Sequence, residues 1–491
     1  MSAGDFAEVV LAAGKGTRLK SNLAKVLHRA GGRPLVEHVV LAARELRPQA
    51  TYVIVGHQAD AVRAVVEPRG ARCVLQQPQN GTGHALLVAR RYLRGVKYAL
   101  VVPGDAPLIR AETLRALLEA HRRAAQTVGA AATILSAILH NPTGYGRIVR
   151  KHDGSVAAIV EEKALTPEQR EIREVNSSIY CFTLEKLWPR LSQVRPENVH
   201  REIYLTDAIA LLDQQGEKVL AEVAPDPHEI LGCNTRAELA EVDRLLRHHK
   251  RAALMAAGVT IYLPNTVTID ADVQVGTDTV IEPNVQLLGK TRIGANCVIR
   301  SGSVITHSLI EDGCEVRQNC VVSATHLGKG VVVGPMAHLR DGADIRAGAR
   351  VGNYVEVKKS VLHEGVKAMH LTYLGDASVG KNTNVGAGTI TCNYDGVRKN
   401  PTKIGAKVFV GSGTELVAPV RVGDGAYIAA GSTITEDVPA NALGIARGRQ
   451  TTKPGWAAAR RRQLAAAANP RKKKQPRKSK APKAKKKAKR R

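Results

Sequence analysis

The sequence predicts two folded units of different class: an α/β domain with a largely parallel sheet, and a parallel β-helix of hexapeptides. A helix links them and a disordered, Lys/Arg-rich tail follows. Three observations carry this expectation. Apolar runs alternate with helical stretches over residues 1–235, an aliphatic residue returns every six positions after Gly258, and apolar periodicity vanishes from Ala457 onward.

In the first unit, EVVLA, TYVIVG, KYALVVPGD and AATILSAIL have the length and apolar content of buried strands, and RAETLRALLEAHRRAA reads as a crossover helix. Residues 236–258 set Leu239, Val242 and Leu246 at helical spacing behind an Asn234 or Thr235 cap, with Gly258 as the stop; this is the linking helix. Residues 259–456 form the β-helix. Val275, Ile281, Leu287, Ile293, Ile299 and Ile305 make one unbroken series. Val333, Leu339, Ile345, Val351 and Val357 make a second, and Ile404 to Ile434 a third. Each six-residue side of a triangular coil turns one aliphatic side chain inward, and glycine, as in IGANCV and VGNYVE, permits the corner. Three sides make roughly eighteen residues, so residues 275–439 supply about nine coils about 4.8 Å apart, a prism of roughly 40 Å.

Composition agrees. The 491 residues exceed what one core serves, and 44% hydrophobic with 3% aromatic residues means a core of Val, Ile, Leu and Ala. The seven cysteines show no CxxC pair and read as reduced, mostly buried thiols. MSAGDFAEVVLAAG lacks a basic leader and no run is long enough for a membrane span, which predicts a cytoplasmic protein. The tail, 457–491, holds seventeen Lys or Arg and no acid, leaving +11 of the formal +28 on the rest of the chain. That distribution argues against a nucleic-acid scaffold, which needs a basic folded body. The tail itself reads either as a solvated, solubilising segment or as one with non-specific, salt-sensitive attraction to RNA, DNA or an anionic membrane surface.

LAAGKGTRLKSNLAKVLH, residues 11–28, is neither GxGxxG nor a P-loop. Small residues at Ala12, Ala13, Gly14 and Gly16 let backbone N–H groups approach an anion, and Arg18 and Lys25 bring charge; a triphosphate is the natural guest. VVPGDAPL places Asp105 past the end of a strand, at the sheet edge where such folds bind ligands and where a carboxylate can hold Mg²⁺. QQPQNGTGHA offers Gln76, Gly81 and Thr82 to a base edge. Gly146, Glu161, Asn176 and Asn234 sit on what read as polar loops.

The hexapeptide series halts at KAMHLTYLGD, residues 367–376. Counting on from Val357 puts the slots at His363 and Met369; counting back from Val379 puts them at Tyr373 and Lys367. Neither register supplies an aliphatic pair, so reacting groups are expected to displace packing groups there.

The string at 11–28 resembles the sugar-nucleotide pyrophosphorylase signature LxxGxGTRLxxxxPKxL, with Ala24 in place of its proline, a change expected to loosen the loop. From about residue 7 to 456 the chain resembles the family of bifunctional bacterial N-acetylglucosamine-1-phosphate uridyltransferases and glucosamine-1-phosphate N-acetyltransferases. The resemblance implies a Rossmann-like nucleotidyltransferase domain, a left-handed β-helix and a homotrimer with sites between neighbouring prisms. It also implies that acetyl-CoA acetylates glucosamine 1-phosphate, and that UTP then gives UDP-N-acetylglucosamine, for cell-wall and lipopolysaccharide precursors, and pyrophosphate.

By the same resemblance Ala13, Gly14, Lys25, Gln76, Gly81 and Thr82 bind the nucleotide, Gly146, Glu161, Asn176 and Asn234 the sugar, and Asp105 and Asn234 the Mg²⁺; Arg18 and Lys25 assist transfer. Pro103 stands where related enzymes can carry tyrosine. In the β-helix His370 is the general base, with Glu356 as its orienting acid. Arg340, Lys358, Tyr373 and Asn384 hold the sugar phosphate, and Asn393, Tyr394, Ser412, Ala430 and Arg447 the acetyl-CoA. The rival expectation is a single-activity sugar-1-phosphate nucleotidyltransferase with a structural β-helix.

Overall fold

The computed structural model describes residues 4–195 and 202–468. The N-terminal sheet runs in the spatial order Lys218–Val223, Ala130–Ile138, Glu174–Thr183, Tyr98–Pro103, Phe6–Ala12, Thr51–Val55, Arg72–Leu75. Alternate residues of the strands feed two cores, Val10, Val53 and Leu100 on one face and Val9, Ile54 and Val101 on the other. Burial on both faces is why these strands read as continuous apolar runs. The last four strands in that order pair in parallel and end together, so Ala13, Gly56, Gln76 and Gly104 emerge along one edge.

The sheet is more mixed than expected. Glu174–Thr183 lies antiparallel to both of its neighbours, and Arg147–Arg150 with Val156–Val160 form an antiparallel pair beside it. EVNSSIYCFT, read as a polar loop, is therefore a strand. Its register shifts between Asn176 and Ile179, where Ser178 takes φ 62°, and that bulge re-aims Asn176 and Ser177 toward the sheet edge.

The linking helix, Arg236–Ala256, opens on a capping box in which Thr235 and Glu238 satisfy each other's backbone N–H groups. Val242 and Leu245 pack into the first domain with Leu35 and Leu108, while Leu254 joins the β-helix core. Arg247 bridges Asp243 of the helix and Asp270 of the first coil, each at 2.9 Å.

The β-helix has three parallel faces of 11, 10 and 9 short strands. Its ladders run from Thr260 to Gly444, outside the 275–439 span read from the hexapeptide count. The buried slots of the first face are Ile281, Ile299, Val316, Val333, Val351, Ala368, Val385, Val410 and Ile428. This register overturns the expectation that the repeat fails at 367–376. After Val357 the slots fall on Leu362, Ala368, Leu374 and Val379, all fully buried. His363, Lys367, Met369 and Tyr373 are not slots.

The side joining second to third face is five residues long at Ile305 to Ile310, Val322 to Leu327, Val357 to Leu362 and Leu374 to Val379. A single left-handed residue makes each short corner: His307, Ala324, Lys359 and Asp376, with φ between 46° and 51°. A strict count of six therefore slips by one at each of these corners while packing continues.

All seven cysteines are free, five of them buried. The tail does not begin disordered: Trp456–Ala468 is a helix with no buried residue. AAARRRQLAAAA is rich in the strongest helix formers, which favours a helix here, although one of this length without a packing partner is only marginally stable. The rest of the tail, 469–491, lies outside the described residues.

Candidate active sites

A cleft of about 1280 Å³ opens at the shared strand edge of the first domain, lined by Ala13, Gly14, Lys25, Gln76, Gly81, Thr82, Asp105, Gly146, Glu161, Asn176 and Asn234. Gly14 has open space where a Cβ would stand, whereas Gly16, at φ 65°, would put one 2.4 Å from Lys25 Cβ. The turn thus needs glycine at 16 to seat the lysine. Ala24 does not loosen the loop. With φ −55° and ψ 138° it already has a proline-like conformation, and its N–H, which proline lacks, donates to Gln58 Oε1 at 2.8 Å. Gln58, itself left-handed at φ 52°, is a supporting residue that no local signal in the sequence marks.

Gln76 is buried and its amide nitrogen donates to Gly81 O at 2.9 Å and contacts His84 Nδ1 at 3.2 Å, which leaves its Oε1 as an acceptor for a base N–H. Gly81, at φ 95°, and Gly83 lie against the backbone of Ile203. Thr82 Oγ1 accepts from Leu205 N at 3.1 Å, which leaves its O–H to donate.

Asn176 Nδ2 donates to Tyr180 OH at 2.9 Å. Burial, then the neighbouring Asp207, raises the Glu161 carboxyl above its ordinary range. Arg18 is not a lining residue of the cleft but reaches it through Asn234, donating to Oδ1 at 2.8 Å. Lys25 Nζ donates to the same oxygen at 2.7 Å and pairs with Asp105.

Asp105 and Asn234 therefore present two hard oxygen ligands to one point. A Cβ at Gly232 would approach Asp105 Oδ2 to 3.2 Å, so glycine keeps that cradle open. Among the described residues no group of three or more His, Cys, Asp or Glu is placed to hold a metal. One carboxylate and one amide suit Mg²⁺, whose remaining positions water and substrate phosphates can fill.

A second cluster lies on the β-helix. His370 stands two residues past the slot Ala368, as Ser412 stands past Val410 and Ala430 past Ile428, so the three share one edge of the prism. With about 4.8 Å per rung, Ser412 lies about 10 Å and Ala430 about 14 Å along that edge. Arg447 joins it by donating to Ala430 O at 2.8 Å.

Glu356 does not orient His370. It is held by Arg340, at 2.8 Å from Nε and 2.7 Å from Nη2. The partner of His370 is Asn353, one rung away, whose Oδ1 lies 3.0 Å from Nδ1. An amide oxygen only accepts, so this contact assigns the proton to Nδ1 and leaves the Nε2 lone pair free. The spacing of Asn353 and His370 depends on Gly352, where a Cβ would lie 1.9 Å from Met369 O.

Arg340 and Lys358 stack on the second face, with Tyr373 beside them. Lys399, on the loop that follows Cys392, comes close enough to hold the Lys358 ammonium below its usual range. Adjacent like charges of this kind suit an anion, and Lys399, in a polar loop without periodicity, carries no signal in the sequence.

Within one chain the other expected residues lie away from the His370 edge. Asn384 faces outward on the first face, between Lys367 and Phe409. Asn393 follows the second-face strand Ile390–Cys392, donating to Asp376 at 2.7 Å and to Tyr373 OH at 3.5 Å, and Tyr394 OH donates to Gly396 O at 2.6 Å; both stand at the far end of that face from the His370 edge.

Comparison with known proteins bears on both clusters. The MobA-like NTP transferase domain matches residues 8–165. The bacterial transferase hexapeptide matches 272–307 and 401–436, and the hexapeptide repeat of succinyl-transferase matches 290–325. A "Bifunctional protein GlmU" of Koribacter versatilis is 51% identical over 93% of this chain and 97% of its own length. Those of Pelobacter propionicus and an Exiguobacterium species are 46% and 48% identical, over 92% and 91% of this chain and 98% of their own lengths. The chain belongs to the bifunctional GlmU family. It is a transferase with a nucleotidyltransferase domain and a left-handed β-helix acyltransferase domain, and because the relatives match across both, the single-activity reading is set aside. No helix among the described residues is long and apolar enough to cross a membrane.

Proposed function

We propose that the two GlmU reactions, acetylation of glucosamine 1-phosphate and uridyl transfer to the product, run at the two clusters just described. The observation that carries this reading is their separation: each cluster is built on its own core, and relatives match the chain across both. On the β-helix, Arg340, Lys358 and Lys399 clamp the sugar phosphate. His370 Nε2 takes the proton from the sugar amine as it attacks the thioester carbonyl, and the thiol of coenzyme A leaves. Such a base is worth about 10²–10⁴ in rate. Acetyl-CoA lies along the edge of Ser412, Ala430 and Arg447.

In the cleft, the phosphate of N-acetylglucosamine 1-phosphate attacks the α-phosphorus of UTP, and pyrophosphate leaves. Gln76 Oε1 accepts from the uracil N–H; Gly146, Glu161 and Asn176 hold the sugar; Arg18 and Lys25 stabilise charge on the phosphates. Asp105 and Asn234 hold Mg²⁺, which supplies Lewis-acid stabilisation and phosphate alignment when bound. The product serves cell-wall and lipopolysaccharide precursor synthesis, in the cytoplasm.

A homotrimer completes the second site. Asn384, Asn393 and Tyr394 lie away from the His370 edge in their own chain, and copies packed side by side would present them to a neighbour's histidine. The tail's cations fit a non-specific anionic partner, nucleic acid or membrane surface. The deciding experiment assays both reactions on Asp105→Ala and on His370→Ala. Each change is expected to abolish one activity and spare the other; loss of both, or of neither, defeats the assignment. Mixing His370→Ala with Asn393→Ala protein should restore some acetyl transfer if sites are shared between copies.

A further inference from the structure

The two oxygens assigned to the metal are already held by cations of this chain. Lys25 Nζ pairs with Asp105 Oδ2 and donates to Asn234 Oδ1, and Arg18 Nη2 donates to that same amide oxygen. An ammonium bridging a carboxylate and an amide oxygen stands where a divalent ion would sit and supplies a positive charge there. The Lys25 and Asp105 side chains are only 17% and 18% exposed, so solvent screens the pair less than one on the open surface. The stem of Lys25 is wedged. It begins a short helical turn, Ala24 before it is hydrogen-bonded to Gln58, and Gly16 packs against its Cβ. Only the outer end of the side chain is free to swing.

The same two cations are the ones a triphosphate requires, and they cannot serve the phosphates and cover the seat at once. We propose that Lys25, with Arg18, is a latch on the metal seat. The nucleotide-free protein excludes divalent cations from Asp105 and Asn234; a triphosphate draws both side chains onto its oxygens and opens the seat. Metal therefore enters with the nucleotide or after it. The proposal rests on Asp105 and Asn234 being metal ligands.

The test uses Mn²⁺ as probe with the full chain and no nucleotide, reading free Mn²⁺ by electron paramagnetic resonance. Lys25→Met is expected to tighten Mn²⁺ binding by about tenfold or more, since it removes a contact charge from the seat. Lys15→Met removes the same charge from the same cleft and should change affinity less than about twofold, as expected of a charge not in contact with the seat. Acetyl transfer, carried by the other domain, reports that each variant is assembled, and circular dichroism that its first domain is folded. No tightening in Lys25→Met, or equal tightening in both variants, overturns the latch.

Water-proton relaxation of the Mn²⁺–UTP complex separates the two readings. If Asp105→Ala leaves it unchanged, the metal seat itself is wrong. If Asp105→Ala abolishes the enhancement while Lys25→Met binds Mn²⁺ no tighter, only the latch fails.

Discussion

Asn353 is the residue on which the acetyl-transfer chemistry can be tested most sharply, because it touches the base through one hydrogen bond. Its Oδ1 holds His370 Nδ1 at 3.0 Å, on a ring that is otherwise exposed. Asn353→Ala removes a neutral hydrogen bond, worth about 0.5–1.5 kcal/mol, and with it the preference for the tautomer that leaves Nε2 free. Taken as transition-state stabilisation, this corresponds to about a two- to twelvefold loss in kcat. KM for both substrates should move little, since Asn353 contacts the imidazole and not the sugar phosphate cations.

The charged isostere separates positioning from packing. Asn353→Asp still accepts from Nδ1–H but places a carboxylate beside the ring, favouring imidazolium, so the acidic limb of kcat/KM should move to higher pH. The assay follows free thiol release across pH 5.5 to 9, pH values chosen to bracket the ordinary imidazole pKa of about 6.5. Unchanged kcat in Asn353→Ala, or an Asp profile superimposed on wild type, would refute the assignment of Asn353 as the positioning partner.

Three further outcomes follow from other contacts. Glu8 is fully buried, bonded to Thr51 Oγ1, and its carboxyl is pushed up to about 8, first by desolvation. Because the folded value is raised, its stabilisation is present below the unfolded value near 4.5 and is lost as pH rises toward 8, by up to about 5 kcal/mol. Glu8→Gln should therefore raise the denaturant midpoint at pH 8 and leave it nearly unchanged at pH 4.5.

Lys399→Ala should raise KM for glucosamine 1-phosphate by about three- to tenfold, a modest effect because the cluster is solvent-screened, and leave uridyl transfer intact. Gln58→Leu deprives Ala24 N–H of its acceptor, at a cost of about 1 kcal/mol, and should raise KM for UTP about fivefold. Adding Ala24→Pro should recover part of that loss, because the proline needs no acceptor and fits the observed φ of −55°.

Much of this molecule was legible in one dimension because its determinants are local. The glycine turn at 11–28, the linking helix and most of the hexapeptides are short-range patterns, and the folded elements follow them. The error at 367–376 has a local origin too. A corner shortened by one left-handed residue shifts the count without altering the packing, and nothing in the identities of His307, Ala324, Lys359 and Asp376 announces that conformation. Similarly, EVNSSIYCFT became a strand because two neighbouring strands offered it hydrogen bonds, a context that its own polar residues do not encode.

What the chain determines by itself, then, is which residues pack inward and which small residues permit a turn, since both follow from spacing along the backbone. The partners of the reacting groups were decided only on folding. Asn353 meets His370 because adjacent coils bring together residues a full turn apart; Glu356 is claimed by Arg340 rather than by the histidine. Lys25 meets Asp105 and Asn234 because a loop, a strand end and a helix cap converge on one point. Hydrogen bonds depend on distance and angle in space, and for residues far apart in sequence those are set by the register of whole elements.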